Sequence, residues 1–249
     1  EAAAERDIAV GHTPGVLTET TADLAWALLM AAARRTVEAH EYVAAGEWGA
    51  WDPTLLMGAD VHDATLGIVG LGSIGTATAR RAAGFGMDVL YTGRNRKPER
   101  EDELAAVGVD ATYVELDALL ADSDFVSLHV PLLDETEGLI GEAELRQMSE
   151  DAVLVNTARG EIVDTDALDT ALEEGWIGRA GLDVTDPEPL PSNHRLMRHA
   201  PEKLIVVPHI GSSSIETRSR VAEMAAANVE AGIDGEALPN SALRDAGLE

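Results

Sequence analysis

Residues 66–75, Leu-Gly-Ile-Val-Gly-Leu-Gly-Ser-Ile-Gly, constrain the fold more than any other part of this 249-residue chain. An apolar run leads into glycines at G-x-G-x-x-G spacing, and an alanine-rich run follows. That order reads as strand, tight turn, helix. Gly70 permits the turn, Gly72 leaves bare backbone for a close approach, and Gly75 lets helix and strand pack together. Unpaired N–H groups and a partial positive charge at the helix start suit an anion. Gly70, Leu71, Gly72, Ser73, Ile74 and Gly75 are therefore the candidate cradle for a dinucleotide pyrophosphate. The alternative is a glycine turn without a ligand.

The alternation continues along the chain. The pattern predicts strands at 66–70, 88–92, 112–115, 125–129, 152–156, 179–183 and 204–207, and helices at 73–84, 99–107, 142–148, 164–174 and 215–233. Ahead of these it predicts a strand at 7–10, a turn at 12–15 and one long helix over 21–45, capped by Thr18 or Thr20. A loop over 46–58 carries Trp48 and Trp51. Apolar strands separated by helices specify an α/β fold, a doubly wound parallel sheet of the Rossmann type. Functional residues are then expected at the carboxyl ends of the strands.

Composition removes several function classes. Hydrophobic residues make up 45% of the chain, enough for a packed core, and there is no cysteine. Disulfides, thiolate zinc sites and cysteine nucleophiles are thereby excluded. No histidine and carboxylate cluster has metal-ligand spacing, so no metal is expected. The longest apolar run, 24–33, is too short to cross a bilayer. The chain opens on acids rather than on a basic signal region, so a cytoplasmic protein is expected. Asp and Glu total 45 against 18 Lys and Arg, for a net charge of −27, and Lys97 and Lys203 are the only lysines. Such a chain repels nucleic acid and anionic membranes. It also repels itself unless salt screens it, which points to a halophilic, high-salt cytoplasm; an ordinary acidic surface is the alternative.

The second strand ends in Tyr91-Thr92-Gly93-Arg94-Asn95-Arg96-Lys97-Pro98. An NAD enzyme usually places a carboxylate here for the ribose 2′-hydroxyl. This chain places three cations instead, which suit a 2′-phosphate. Gly93, Arg94, Asn95 and Arg96 are thus candidate cofactor contacts, with NADP preferred and NAD possible. The alternative is a basic loop that offsets the acids at 99–103. Three later strand ends carry Arg159, Glu188 and His209, which can meet in one cleft.

Several of these segments together resemble the D-2-hydroxyacid dehydrogenases, and among them the glyoxylate and hydroxypyruvate reductases. The matching segments are 12–18 (His-Thr-Pro-Gly-Val-Leu-Thr), 21–28 (Thr-Ala-Asp-Leu-Ala-Trp-Ala-Leu), the glycine turn, 129–131 (His-Val-Pro), 156–160 (Asn-Thr-Ala-Arg-Gly), 183–191 and 208–211 (Pro-His-Ile-Gly). They occur in the family's order over nearly the whole chain.

The resemblance implies roles. Arg159 grips the substrate carboxylate, His209 is the general acid for a 2-keto group, and Glu188 is its partner. Asp183 and Gly211 lie near the nicotinamide, Thr157 and Ala158 line the cofactor, and His129 and Pro131 lie on the adenosine side. The other histidines, His12, His40, His62, His194 and His199, have no assigned acid–base partner and are read as structural or exposed. Thr185 stands where the family often has an aromatic residue.

The resemblance also implies an organisation. Residues 1–12 end a flavodoxin-like substrate domain of which only remnants are present, 13–212 form the dinucleotide-binding domain, and 213–249 return to the substrate domain. The chain would be N-terminally truncated, and its arm at 21–58 would form a homodimer; burial of the alanine-rich helix face in the chain's own core is the alternative. The expected activity is reduction of a small 2-keto acid such as glyoxylate or hydroxypyruvate by NADPH. A phosphoglycerate-type dehydrogenase and a dinucleotide-sensing, corepressor-like binding module are the alternatives.

Overall fold

A computed structural model describes residues 2–248. Two compact units are present, one made of the chain ends up to Thr20 and from Ser212, the other of Thr21–Gly211. The larger unit contains a seven-stranded sheet: β1 (Thr65–Val69), β2 (Asp88–Thr92), β3 (Ala111–Tyr113), β4 (Phe125–Leu128), β5 (Val153–Asn156), β6 (Arg179–Leu182) and β7 (Leu204–Val206). All pairings are parallel and the order is β3-β2-β1-β4-β5-β6-β7. The chain reverses its direction of travel between β1 and β4, the switch point where such sheets open a ligand crevice.

The strands are apolar on both faces because both faces are covered. Leu66, Ile68, Phe125, Val153 and Val155 enter one core, and Val69, Val126, Leu128 and Leu154 enter the other. Side chains of successive residues point to opposite sides of a strand, so each strand feeds two cores. Helix α1 (Thr18–Ala33) packs on the first side. Its Trp26 stacks on Phe85 at 4.6 Å and donates its indole N–H to the Thr78 carbonyl at 2.9 Å. Helices α5 (Leu116–Asp122) and α7 (Thr165–Glu174) contribute to the second core.

The long helix expected over 21–45 is two helices, α1 and α2 (Thr36–Ala44). Arg35 separates them with a left-handed backbone, φ 53°, and its guanidinium makes two 2.8 Å bonds to Glu38. The Ala33 carbonyl accepts instead from Ala59 at 2.9 Å, so the residue just after the 46–58 loop takes the bond that would have continued the helix. Thr18 and Thr20 lie inside α1 rather than capping it, and Thr20 Oγ1 bonds Thr217 Oγ1 at 2.5 Å.

The strand expected at 7–10 is absent. A 3₁₀ turn, Ala4–Arg6, precedes it, and the chain makes a single antiparallel bridge from Gly11 to Ser241. Helix α5 is not predicted by the sequence pattern, although Leu116, Leu119 and Leu120 fall at helical spacing; seven residues give too short a period to register. The remaining helices are α3 (Ser73–Arg81), α4 (Pro98–Ala105), α6 (Glu142–Leu145), α8 (Ile215–Asp234) and α9 (Ala242–Asp245). The N-caps Asp164 for α7 and Ser214 for α8, and the left-handed Gly175 and Gly235 at their ends, set these two helices as the sequence predicts. No helix is long and apolar enough to cross a membrane among the described residues.

Candidate active site

The carboxyl ends of β1, β2 and β4 border a cavity of about 720 Å³. The glycine turn forms its floor. A Cβ on Gly70 would lie 2.8 Å from the His129 carbonyl oxygen, and φ there is +100°. A Cβ on Gly75 would lie 2.1 Å from the Gly70 carbonyl oxygen. Those two glycines are demanded by the protein itself. Gly72 is different, because a Cβ there would meet nothing within 4 Å. Its missing side chain leaves room toward the cavity, where no protein atom uses it. Gly72 also caps α3 without a side-chain bond, so the first N–H groups of α3 remain for a ligand. The turn therefore fits the pyrophosphate of a dinucleotide. Gly70, Leu71, Gly72 and Ser73 line the cavity, while Ile74 and Gly75 lie in α3 behind it.

Gly93, Arg94 and Asn95 line the next wall, and Arg96 does not. The cations at this strand end are not free as a group. Arg94 pairs with Glu135 from the loop after β4. Arg96 makes 2.9 and 2.7 Å bonds to Glu101, and Arg100 pairs with Glu103 at 2.6 Å. The acids at 99–103 thus partner Arg96 and Arg100. Glu101 also accepts the Tyr91 hydroxyl at 2.5 Å, and these bonds push its carboxyl down to about 2, the Arg96 contact first.

His129 and Pro131 form the third wall with Val130. The His129 ring shares a 2.9 Å hydrogen bond with Ser127, and burial pushes its pKa down to about 4. It is a neutral packing group at ordinary pH rather than a charge for the ligand.

The second cluster lies at the ends of β5, β6 and β7, away from the lining of that cavity. Asp183 follows β6 and is 2% exposed. Its two oxygens accept the Ile210 and Gly211 N–H groups at 2.6 and 2.8 Å, and its carbonyl accepts the His209 N–H at 2.9 Å. These bonds hold His209 in a left-handed backbone, φ 52°. The His209 Nδ1 then lies 2.7 Å from Glu188 Oε1. Thr185, where an aromatic is common, is buried and bonds the Pro187 carbonyl at 2.9 Å, inside the turn that carries Glu188.

Arg159 is exposed and follows β5, with Nη1 on the Ala158 carbonyl at 2.6 Å. Asn156 shapes its loop by donating to the Arg159 carbonyl and accepting from the Ala158 N–H, at 2.8 and 2.9 Å. A Cβ on Gly160 would lie 2.1 Å from the Thr185 carbonyl carbon, so the Arg159 loop and the Glu188 segment touch backbone to backbone. Thr157 Oγ1 is buried with no partner among the described residues. His209, Glu188, Asp183 and Gly211 are thus in one bonded group, and Arg159 with Thr157 and Ala158 is beside it.

Two histidines read as partnerless have partners. His12 Nε2 lies 2.7 Å from Asp245, and His199 lies 3.0 Å from the buried Asp169, which also takes Arg198. Both acids are far away in sequence, which no local pattern reveals. Among the described residues no group of histidines and acids is arranged to hold a metal. Sequence reading also missed Tyr91 and Glu135 as cavity residues, the first hidden as a strand apolar residue and the second an acid among many.

Comparison with known proteins gives the family. The family model described as D-isomer specific 2-hydroxyacid dehydrogenase, NAD binding domain, matches residues 26–211. A protein named glyoxylate reductase from Korarchaeum cryptofilum is 56% identical over 239 residues, covering 96% of this chain and 70% of that protein. A crystal structure of a Thermus thermophilus protein superimposes with a TM-score of 0.89 at 49% identity, over 97% of this chain and 73% of that one. A glyoxylate reductase structure from Paecilomyes thermophila gives 0.84 at 38% identity, over 98% and 71%. The cofactor is a nicotinamide dinucleotide, and this chain belongs to the D-isomer specific 2-hydroxyacid dehydrogenase family.

Proposed function

We propose that the chain reduces glyoxylate, or the related 2-keto acid hydroxypyruvate, with NADPH as the preferred cofactor. The observation that carries the reading is the 2.7 Å bond between His209 Nδ1 and Glu188, beside the Arg159 loop. It fixes one ring nitrogen and leaves Nε2 for the substrate. The dinucleotide, when bound, supplies a hydride. Arg159 pairs with the substrate carboxylate through its fork of N–H donors and polarises the keto group. His209 donates a proton from Nε2 to the carbonyl oxygen, and the Glu188 carboxylate on Nδ1 orients the ring for that transfer. Thr157, Ala158, Asp183 and Gly211 frame the nicotinamide end. Relatives named glyoxylate reductase support the substrate. The absence of a carboxylate at 93–97 supports the phosphorylated cofactor.

The decisive experiment follows NADPH and NADH absorbance with glyoxylate, hydroxypyruvate and pyruvate. The reading expects faster turnover of glyoxylate or hydroxypyruvate than of pyruvate, and faster with NADPH. Dinucleotide binding without turnover of any of the three would make the chain a binding module instead.

The same reading places 13–212 in the dinucleotide-binding domain and assigns 1–12 and 213–249 to a substrate domain. It takes the protein as cytoplasmic in a high-salt cell, on the strength of the −27 charge. It makes the protein a homodimer through the arm, where Trp48, Trp51 and Met57 are 60%, 81% and 64% exposed.

A further inference from the structure

The segment that carries Glu188 has few backbone donors of its own. It reads Val-Thr-Asp-Pro-Glu-Pro-Leu-Pro over 184–191, and Pro187, Pro189 and Pro191 have no N–H to give. It forms neither strand nor helix. Its carbonyls are the handles that remain, and two successive ones are taken. Thr165 Oγ1 donates to the Asp186 carbonyl at 2.7 Å, and Thr185 Oγ1 donates to the Pro187 carbonyl at 2.9 Å. Threonine hydroxyls thus hold both peptide groups immediately ahead of Glu188.

Each threonine is itself braced. Thr165 is the first residue of α7. One turn along the same face, the buried Asp169 takes Arg198 and His199 at 3.0 Å each and Arg195 at 3.3 Å. Helix α7 therefore grips the chain both before and after Glu188, at 186 and at 195–199. Thr185 is buried against the Arg159 loop, since a Cβ on Gly160 would lie 2.1 Å from its carbonyl carbon. Such bracing matters because the pair it serves is open to water. The His209 and Glu188 side chains are 50% and 43% exposed, and an exposed charged contact contributes little by itself. Holding a glutamate in one geometry also costs side-chain freedom. Attraction alone does not keep Oε1 on Nδ1 at 2.7 Å; the placing of the Glu188 backbone does.

We propose that Thr165 and Thr185 are positioning residues for the proton donor: their hydroxyls fix the two peptide groups before Glu188, so that its carboxylate meets His209 Nδ1 and leaves Nε2 for the substrate. This rests on the acid role given to His209 above and names the groups that set it. Both threonines act through Glu188, by ordering its backbone before substrate arrives, which lowers the cost of reaching the reactive geometry.

The test reads the His209 ring directly. Which ring nitrogen carries the proton is set by the bonds the ring makes, so a neutral His209 bonded to Glu188 through Nδ1 carries it there. Nitrogen NMR reads that tautomer without turnover, and His209→Asn assigns the signal. The unaltered chain should show the Nδ1–H form; the Nε2–H form there would overturn the proposal at once. Thr165→Val and Thr185→Val keep the shape and lose the hydroxyl. Each should shift the ring toward Nε2–H, and the double variant should shift it further. Thr165→Ser and Thr185→Ser should restore the original signal. With glyoxylate and NADPH, kcat of the double variant should fall about tenfold or more, and the same two changes should cost nothing further in Glu188→Ala. An unshifted tautomer in the double variant, or losses that multiply with that of Glu188→Ala, would make the threonines merely structural. Should the double variant not fold, Thr165→Val alone decides, because that side chain is only partly buried at the start of α7. If the unaltered chain turns over no 2-keto acid, the reading of its activity is wrong, and the tautomer still decides the positioning.

Discussion

His209 Nδ1 and Glu188 Oε1 lie 2.7 Å apart, although 21 residues and the whole of β7 separate them in the chain. The contact joins the segments that follow β6 and β7. Replacing His209 by Asn should lower kcat by about 10²–10⁴-fold, the usual worth of a positioned acid–base group. NADPH affinity should stay within experimental error. Stopped-flow turnover and fluorescence titration separate the two effects, and an equal loss in both would remove His209 from the chemistry.

The buried Asp183 gives a second prediction. Its carboxylate accepts two backbone N–H groups, so Asp183→Asn exchanges a charged acceptor for a neutral one and places an NH₂ against a donor. Stability should fall by about 2 kcal/mol. Turnover should fall with it, because the turn that holds His209 loosens. A denaturant melt unchanged from the parent would mean that these two bonds are not what holds the turn.

The glycine turn distinguishes protein from ligand demands. Gly75→Ala has no room, with the Gly70 carbonyl oxygen 2.1 Å from the new atom, and should unfold or shift α3. Gly72→Ala meets no protein atom and should melt like the parent, yet lose roughly tenfold or more in dinucleotide affinity because the methyl occupies the approach to the pyrophosphate. Normal cofactor affinity in Gly72→Ala would place the phosphates elsewhere.

Acid sensitivity should report His129. Its folded pKa, about 4, lies below the ordinary 6.5 because the ring is buried. Between those values the unfolded chain binds a proton that the folded chain does not. This contribution to stability is complete above about 6.5 and is lost as pH falls toward about 4. His129→Gln should therefore show a smaller drop in melting temperature over that window than the parent. Parallel melting curves across the window would contradict the burial of the ring.

Salt dependence follows from the −27 charge. The melting temperature should rise between dilute buffer and molar KCl as like-charge repulsion is screened. A flat or falling profile would count against the halophilic reading.

The sheet was legible in the sequence because both periodicities survive there: Leu66, Ile68, Val153 and Val155 are apolar neighbours of strands that must be covered twice. The long helix was not, since the break at Arg35 is set by Ala59 binding the Ala33 carbonyl, a contact from beyond the helix. Gly70, Gly72 and Gly75 were readable because their spacing encodes a backbone need. The fate of Arg94 and Arg96 was hidden, because pairing with Glu135 and Glu101 depends on where two other elements lie. Histidine partners such as Asp169 for His199 were hidden for the same reason.

The left-handed backbone at His209 sets foldability against chemistry at a single position. For a residue other than glycine that conformation costs about 1–2 kcal/mol. Glycine at 209 would relax the turn and, on the proposed mechanism, leave nothing to deliver a proton. Selection for stability alone would drift toward that residue; the proposed proton transfer is what would keep an imidazole there.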